Sequence, residues 1–351
     1  MTSPLLSTVL LGAGVALLGF APLLPALREL RRGVGRPLHI PGDDDAGAGF
    51  FAARMRERLR EEFGDGDPLT KNPLPSGWIA ASNTPIEGAH GRADEPAATL
   101  IGQRVALAPG CRYLGDVVAR EYADLGHDAV VRAVLVEAGD TRIADRATVL
   151  RWIDAGFIDA GRDARLLGRT TARERVVLGT GAEFRRIAAP TITFGRELAS
   201  VAPVDIRDAR LDEVTDGDFI EHPDEQGRWV CRGALRIPRG TRVRGHLVVE
   251  GALHIEDDCE ILGSVKAHRG ARVGDRVHID GSVFAGPHAV LGEHVTVHGM
   301  LSAEATIDCG RGLRVGRLER PASLLAPVIR VGDGGCVHGA AWASRLGKVV
   351  E

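Results

Sequence analysis

Apolar and polar residues alternate along the carboxyl-terminal half of the chain in a pattern that repeats every 18 residues. Gly227, Gly245, Gly263, Gly281 and Gly299 mark the start of five successive units. Within each unit, small apolar residues fall in pairs two residues apart, and the pairs recur every six residues. A separation of two is the strand period, so each pair faces inward from one short strand. Three such strands per unit predict a triangular coil.

Stacked coils of this kind predict an all-β fold, a β-helix with about 18 residues per coil, over residues 227–335. Equivalent positions of successive coils then form ladders at about 4.8 Å per step. The preference for right-handed crossovers favours a right-handed coil. Residues 336–351 are expected to be a carboxyl-terminal tail. We expect the coil core to include ten aliphatic residues of these ladders: Leu247, Val265, Val283, Leu301, Ile255, Val273, Leu291, Ile261, Ile279 and Val297.

A looser form of the same pattern precedes the regular units. Counting from Gly115 and from Ala133, the inward positions are again largely apolar, but the phase drifts after about Ala155. We therefore predict an irregular β-helical section over residues 98–195. Residues 196–226 are rich in charge and have no core periodicity, which predicts a linker or insertion between the two sections.

The ends of a β-helix expose strand edges, which either are capped or pair with another chain. Near the carboxyl terminus, Leu324, Leu325, Val328 and Ile329 supply apolar positions for one more coil. The sequence leaves two interpretations equal: a last coil that pairs with a neighbouring chain, or a cap that prevents pairing. We predict this segment as the candidate assembly end.

The amino terminus is apolar from Leu5 to Leu27 apart from Ser7 and Thr8. This stretch would span roughly 34 Å as a helix, enough to cross a bilayer, and predicts a transmembrane helix within residues 1–27. The predicted anchor residues are Leu5, Leu10, Leu17, Phe20 and Leu24, and the basic residues that follow them are Arg28, Arg31, Arg32 and Arg36. By the positive-inside rule, we expect the chain to cross the membrane once and its soluble domain to be cytoplasmic. The alternative, a cleaved signal peptide, lacks the usual basic amino-terminal region.

Residues 28–97 are predicted to be a juxtamembrane linker. Within it, Phe51, Met55, Leu59 and Phe63 lie at or near helical spacing among several arginines, which predicts a short amphipathic helix over Phe50–Phe63. Such a helix either lies on the inner leaflet or packs on the main domain.

The composition of the chain argues against several kinds of binding site. Aromatic residues make up only 4% of the chain and glycine numbers 45, as expected for a stacked core of small residues. A net charge of −3 gives no indication of nucleic-acid binding, and the chain has no phosphate-binding loop for a nucleotide. Five cysteines without a CxxC pair argue against a disulfide framework or a zinc knuckle.

Two enzyme or binding alternatives share the periodicity. Ala289–Val297 fits the six-residue repeat of left-handed acyltransferases, which use a histidine as general base. Two pairs, Glu260 with His278 and Asp280 with His298, share positions on adjacent coils, an arrangement suited to acid–base chemistry. Solvated surface ladders explain both pairs without chemistry, so we predict no catalytic, cofactor or metal residue. A polysaccharide-binding β-helix would need aromatic residues along a groove, and Trp229 is the only tryptophan of the regular coils.

The units GSVKA (Gly263–Ala267), GSVFA (Gly281–Ala285) and GMLSA (Gly299–Ala303) resemble the bactofilins, the polymer-forming cytoskeletal proteins of bacteria. The resemblance is strongest over residues 227–316. It implies a right-handed β-helix that polymerises with itself without nucleotide and attaches to the inner membrane. It also implies that the polymer positions envelope-remodelling or cell-shape proteins. The sequence therefore predicts a scaffold and not an enzyme.

Overall fold

The computed structural model describes residues 49–64, 66–71, 73–82, 84–92, 94–198, 206–208, 210–215, 219–221 and 227–351. These residues belong to one compact unit, Ala48–Glu351. The predicted membrane helix and the basic residues after it lie outside the described residues. Within the described part of the chain, no helix is both long and apolar enough to cross a bilayer.

Nearly all of the regular structure is β, and the strands form one continuous sheet that winds as a solenoid of stacked coils. The predicted β-helix is therefore confirmed. The first section contains β1 (Trp78–Ala80), β2 (Ala89–His90), β3 (Thr99–Leu107), β4 (Arg112–Leu125), β5 (Val130–Val136), β6 (Asp140–Ile143), β7 (Thr148–Ala160), β8 (Arg165–Leu178) and β9 (Glu183–Phe194). It thus begins about twenty residues before the predicted boundary at residue 98.

The second section is built from short strands that end in two long ones. They are β10 (Arg207–Asp208), β11 (Phe219–Glu221), β12 (Arg228–Cys231), β13 (Leu235–Ile237), β14 (Thr241–Arg244), β15 (His246–Val249), β16 (Leu253–Ile255), β17 (Glu260–Leu262), β18 (Val265–Ala267), β19 (Ala271–Val273), β20 (His278–Ile279), β21 (Val283–Ala285), β22 (His288–Leu291), β23 (Thr296–Val297), β24 (Leu301–Ala303), β25 (Thr306–Cys309), β26 (Arg314–Val315), β27 (Ala322–Gly332) and β28 (Gly335–Val350). The helical elements of the described chain are α1 (Phe50–Phe63), α2 (Leu211–Val214) and a 3-10 turn at Pro68–Thr70.

In the second section, parallel partners are 18 residues apart from Arg228 to Val315, as in the pairs Leu247 with Val265 and Val265 with Val283. The ten predicted core residues are all buried. The repeated glycines stand where the corners of successive coils touch. A Cβ atom built on Gly263 would lie 2.5 Å from the carbonyl carbon of Gly245, too close for any side chain. Glycine at this corner is therefore what allows coils to stack at strand spacing.

The first section keeps the coil but not the exact period. Its longer strands bend around the corners, and from β3 to β9 the offset between paired residues varies from 16 for Arg175 with Thr191 to 19 for Ala133 with Trp152. Each change of offset is a bulge or irregularity in the ladder, which adds or removes a residue without breaking the stack. These bulges explain why the periodicity drifts in the sequence while the coils continue.

The two sections meet through their last coils. Strand β28 pairs with β9 in antiparallel orientation on all three faces, at Gly335 with Phe194, Ala341 with Ile187 and Gly347 with Phe184. The prediction that residues 336–351 form a tail is therefore wrong. They form a complete coil, because small or apolar residues recur inward along β28, and its other edge pairs in parallel with β27.

One ladder runs without interruption through this junction. It contains seven strands of the first section, from β1 to β9, and seven of the second, from β28 back to β12. At about 4.8 Å per step, the ladder is roughly 62 Å long. The amino-terminal coils of the two sections consequently lie at opposite ends of the solenoid.

Candidate functional site

The segment predicted as the assembly end lies inside the solenoid. Leu324 and Ile329 are fully buried, and Leu325 and Val328 are partly covered. Strand β27, which carries all four, pairs with β24 and β25 on one side and with β28 on the other. It offers no free strand edge, so the prediction of an assembly end here is wrong. The physical reason is that the chain continues into β28, whose far edge is taken by β9.

The outer end of the second section is covered by residues predicted to be a charged linker. Strand β10 adds to the edge of β14 in parallel, and β11 adds to β12 in antiparallel orientation. Leu211 of α2 is fully buried in the solenoid core, and Trp229 is 3% exposed. Described residues between 206 and 221 therefore act as a cap over the first regular coil.

The outer end of the first section has an open core. Within the described residues, β1 pairs only with β3, and β2 only with β4. Ile79 stands directly above Leu100 and Val117 in an inward ladder. Those two residues are buried, whereas Ile79 is 52% exposed. The inward column therefore reaches this end of the solenoid with no covering layer among the described residues; we call the coil formed by β1, Ile86 and β2 the open end.

The predicted amphipathic helix is confirmed as α1, and it packs on the main domain. Its apolar face is formed by Ala52, Met55, Leu59 and Phe63, all of which are buried. This face covers outward side chains of successive coils of the first section: Ile101, Val118, Leu135 and Trp152. An ion pair between Arg56 and Asp154 fixes the helix at one side of this patch. Because its apolar face is occupied, α1 does not offer that face to a lipid leaflet.

One sequence-predicted pair, Asp280 with His298, is brought together on one face of the second section, and His278 of the other pair lies beside it. His278 and Asp280 flank the inward residue Ile279, so both point outward, and His298 lies one coil further on. His298 Nδ1 is 3.0 Å from Asp280 Oδ1, and the two imidazole rings are 4.3 Å apart between centroids. Arg317, which the sequence did not single out, places Nη2 2.6 Å from His298 Nδ1. We call His278, Asp280, His298 and Arg317 the histidine cluster.

The environment shifts the titration of two members of the histidine cluster. Burial lowers the pKa of His278, and the neighbouring His298 lowers it further. His278 is therefore an uncharged imidazole at neutral pH. The hydrogen bond from His298 lowers the pKa of Asp280, which stays an anion. The cluster thus combines a neutral nitrogen base with a carboxylate on adjacent coils.

The cysteines behave as small core residues. Cys111, Cys231, Cys259 and Cys309 are buried, and burial raises the thiol pKa of Cys111, Cys259 and Cys309. A raised pKa disfavours the thiolate, which is the reactive and metal-binding form.

Comparison with protein-family models, with curated proteins and with solved structures found no match. The assignment of function consequently depends on the geometry of the solenoid and its surfaces. The predicted membrane-anchor leucines and Phe20, together with the arginines from Arg28 to Arg36, lie outside the described residues.

Proposed function

We propose that this chain is a membrane-anchored, bactofilin-like scaffold that assembles end to end through the open end of its first section. The observation that carries the proposal is the exposed inward column at Ile79, 52% exposed above a buried core. A second chain stacked on this coil would bury Ile79 and pair the outer edges of β1 and β2. Unpaired strand edges above an apolar core are the kind of surface that joins solenoids.

The junction inside the chain supports the geometry of such a contact. There, two coil ends meet in antiparallel orientation, and Ile187 and Ala341 become fully buried. Two open ends would meet in the same manner around a two-fold axis, since each presents the same strands to the other. The product would be a rod of two chains, roughly 120 Å long at strand spacing.

Growth beyond two chains requires the other end of the solenoid. The described cap residues lie over that end and pair with β12 and β14. Strand β13, however, pairs with β16 alone among the described strands, so one of its edges is not covered by the cap. We therefore expect two-chain rods as the first assembly step and filaments only where the cap is displaced or itself bound.

Attachment to the membrane completes the proposal. Helix α1 lies in sequence between the predicted anchor at residues 1–27 and the solenoid, and it is docked on the first section. A retained anchor would thus hold the first section of each chain, which carries the open end, near the bilayer. The right-handed coil, the cytoplasmic location and the recruitment of envelope-remodelling proteins belong to this proposal through the resemblance to bactofilins.

Electron microscopy and mass photometry of residues 48–351, without nucleotide, test the assembly. The fragment must keep α1, because a start at residue 98 would uncover Ile101, Val118 and Leu135 and cause unrelated aggregation. We expect two-chain rods, roughly 120 Å long, whose share of the particles rises with concentration. Ile79→Asp should leave monomers, because a carboxylate cannot be buried unpaired in the contact. Leu318→Asp, at an equally exposed leucine on a loop away from the open end, should still assemble.

Each alternative outcome has a defined meaning. Monomers at every concentration of the unaltered fragment would overturn assembly through the open end. Discrete trimers would favour the acyltransferase interpretation, and acyl-CoA binding would then be measured. Assembly that survives Ile79→Asp would place the contact elsewhere on the solenoid.

A further inference from the structure

The histidine cluster has the composition and spacing of a metal site. Its three possible ligand atoms, one each from His278, Asp280 and His298, all lie within 4.8 Å of one another. Bound to one ion at about 2.1 Å each, such atoms would lie roughly 3.4 Å apart. Small side-chain rotations therefore suffice to bring all three onto a single ion.

The scaffold holds these side chains in position. Strands β20 and β23 pair in parallel, so that His278 lies opposite Thr296 and Ile279 lies opposite Val297. Inward Ile279 and Val297 are fully buried, which fixes the backbone that carries all three ligands. The His298 side chain is 13% exposed, whereas that of Asp280 is 57% exposed. The site is consequently rigid on its inner side and open to water on its outer side.

Two groups of opposite charge compete for Nδ1 of His298. Nδ1 of His298 is within hydrogen-bond distance of both Asp280 Oδ1 and Arg317 Nη2. It cannot donate a proton to the carboxylate and accept one from the guanidinium at the same time. A metal ion at this point would satisfy both the nitrogen lone pair and the carboxylate. Arg317, also 3.7 Å from Asp280, provides the positive charge in the structure.

We propose that His278, Asp280 and His298 bind a divalent transition-metal ion of the zinc class, with water completing the coordination. Two imidazoles and one carboxylate are a ligand set that zinc and iron(II) accept, and three protein ligands leave a position open to solvent. Arg317 is the competing cation: its side chain is 54% exposed, so it turns outward when the ion binds. This site is independent of the proposed assembly through the open end.

Isothermal titration with Zn²⁺ tests the site on the full chain, purified without a histidine tag and stripped with chelator. Cys336→Ser is introduced in every arm, because the Cys336 sulfur lies 3.7 Å from His338 Nε2 and that pair offers zinc a thiol and an imidazole outside the histidine cluster. We expect one zinc ion to be lost from the stoichiometry, or bound at least 100-fold more weakly, in His298→Ala and in Asp280→Asn. His268→Ala, an exposed histidine of the same section, is the matched control and should bind as the parent does.

Arg317→Ala and Co²⁺ absorption sharpen the test. Removing the competing guanidinium should tighten zinc binding by about tenfold, and bound Co²⁺ should show d–d absorption that disappears in His298→Ala. Circular dichroism of each variant checks that the solenoid is intact. Equal zinc binding in His298→Ala and the parent would overturn the site. So would the absence of zinc binding at about 100 µM in both the parent and Arg317→Ala.

Discussion

The two sections of the solenoid build the same coil in different ways. In the second section, strands of two to four residues keep an 18-residue offset from Arg228 to Val315, and small residues fill the interior. In the first section, strands of up to 14 residues bend around corners, and the offset varies. The first section also carries a helix on one face, whereas the described residues of the second section contain only the short α2 at its capped end.

The difference shows what the periodic sequence specifies. Exact repetition is needed where glycine corners stack, as at Gly263 on Gly245, because any inserted residue would misalign the corner. Long bent strands tolerate a bulge, so the first section keeps its inward columns without a fixed period. Several outward residues of the first section are also apolar, and they pack against α1. Three changes to the sequence would break or sharpen this comparison.

The largest effect is expected where the two sections meet. Ala341 and Ile187 are paired across the junction and are both fully buried. Ala341→Asp would bury a carboxylate without a partner and should lower the free energy of unfolding by about 4 kcal/mol. Urea unfolding followed by circular dichroism measures the loss. Protease sensitivity of β28 tells whether the two sections have separated.

Ser344→Asp provides the matched control for the junction. Ser344 lies on the same strand and is exposed, so its replacement should change the stability by less than about 0.5 kcal/mol. If Ala341→Asp unfolded at the same urea concentration as the control, the last coils would not be joined as described.

The sequence predicts the second section well because each inward ladder repeats five times, so chance agreement at one position matters little. It does not predict the first section in detail because Ile101, Val118 and Leu135 are apolar yet face outward, which blurs the period-two pattern. The sequence also does not predict the strand with which β28 pairs. Alternation predicts a strand, but antiparallel pairing with a segment more than 140 residues away depends on three-dimensional closure.

The histidine cluster was predictable only in part. Equal coil positions brought out Glu260 with His278 and Asp280 with His298 as separate pairs. Glu260 and His278 do lie side by side on adjacent strands, although Glu260 forms its ion pair with Arg242. The structure also brings His278 to the second pair, because His278 and His298 lie diagonally on adjacent coils. Arg317 follows Val315 at the end of the regular register, where the 18-residue count no longer indicates its neighbours.

A smaller effect, confined to the first section, is expected from Leu59→Ala. Leu59 is 5% exposed against the outward apolar patch that α1 covers. Its truncation should weaken the docking of α1 by about 3 kcal/mol. Hydrogen exchange should then accelerate in α1, and in the second section it should not change, because stability in a solenoid is transmitted mainly between neighbouring coils.

Glu61→Ala is the control for this helix, since Glu61 is exposed on α1. Faster exchange in both variants would mean that the effect does not come from the docked face of α1, since alanine itself favours the helix. Faster exchange across both sections would contradict the separation between the covered and the uncovered half.

The smallest effect compares an aspartate at the same corner of each section. Asp128 and Asp258 both have left-handed backbone, and both bind the arginine 18 residues later. Asp258 is 2% exposed and also binds Arg239, whereas the Asp128 ion pair is exposed on both sides. Asp258→Asn should therefore lower the free energy of unfolding by roughly 2 kcal/mol at pH 7. Asp128→Asn should leave the free energy of unfolding unchanged within the error of the measurement.

The lowered pKa of Asp258 determines in which direction the stability difference changes with pH. Hydrogen bonds from Arg276 and then Arg239 lower the pKa of Asp258 in the folded chain. A lowered pKa stabilises the fold above the unfolded-state pKa, about 3.9 for aspartate, and this contribution is lost as the pH falls through the folded value. The stability gap between the parent and Asp258→Asn should thus be constant from about pH 5 to 7 and close under more acidic conditions. Urea unfolding across this range measures it, and a gap that widened on acidification would show that Asp258 does not act as a paired anion.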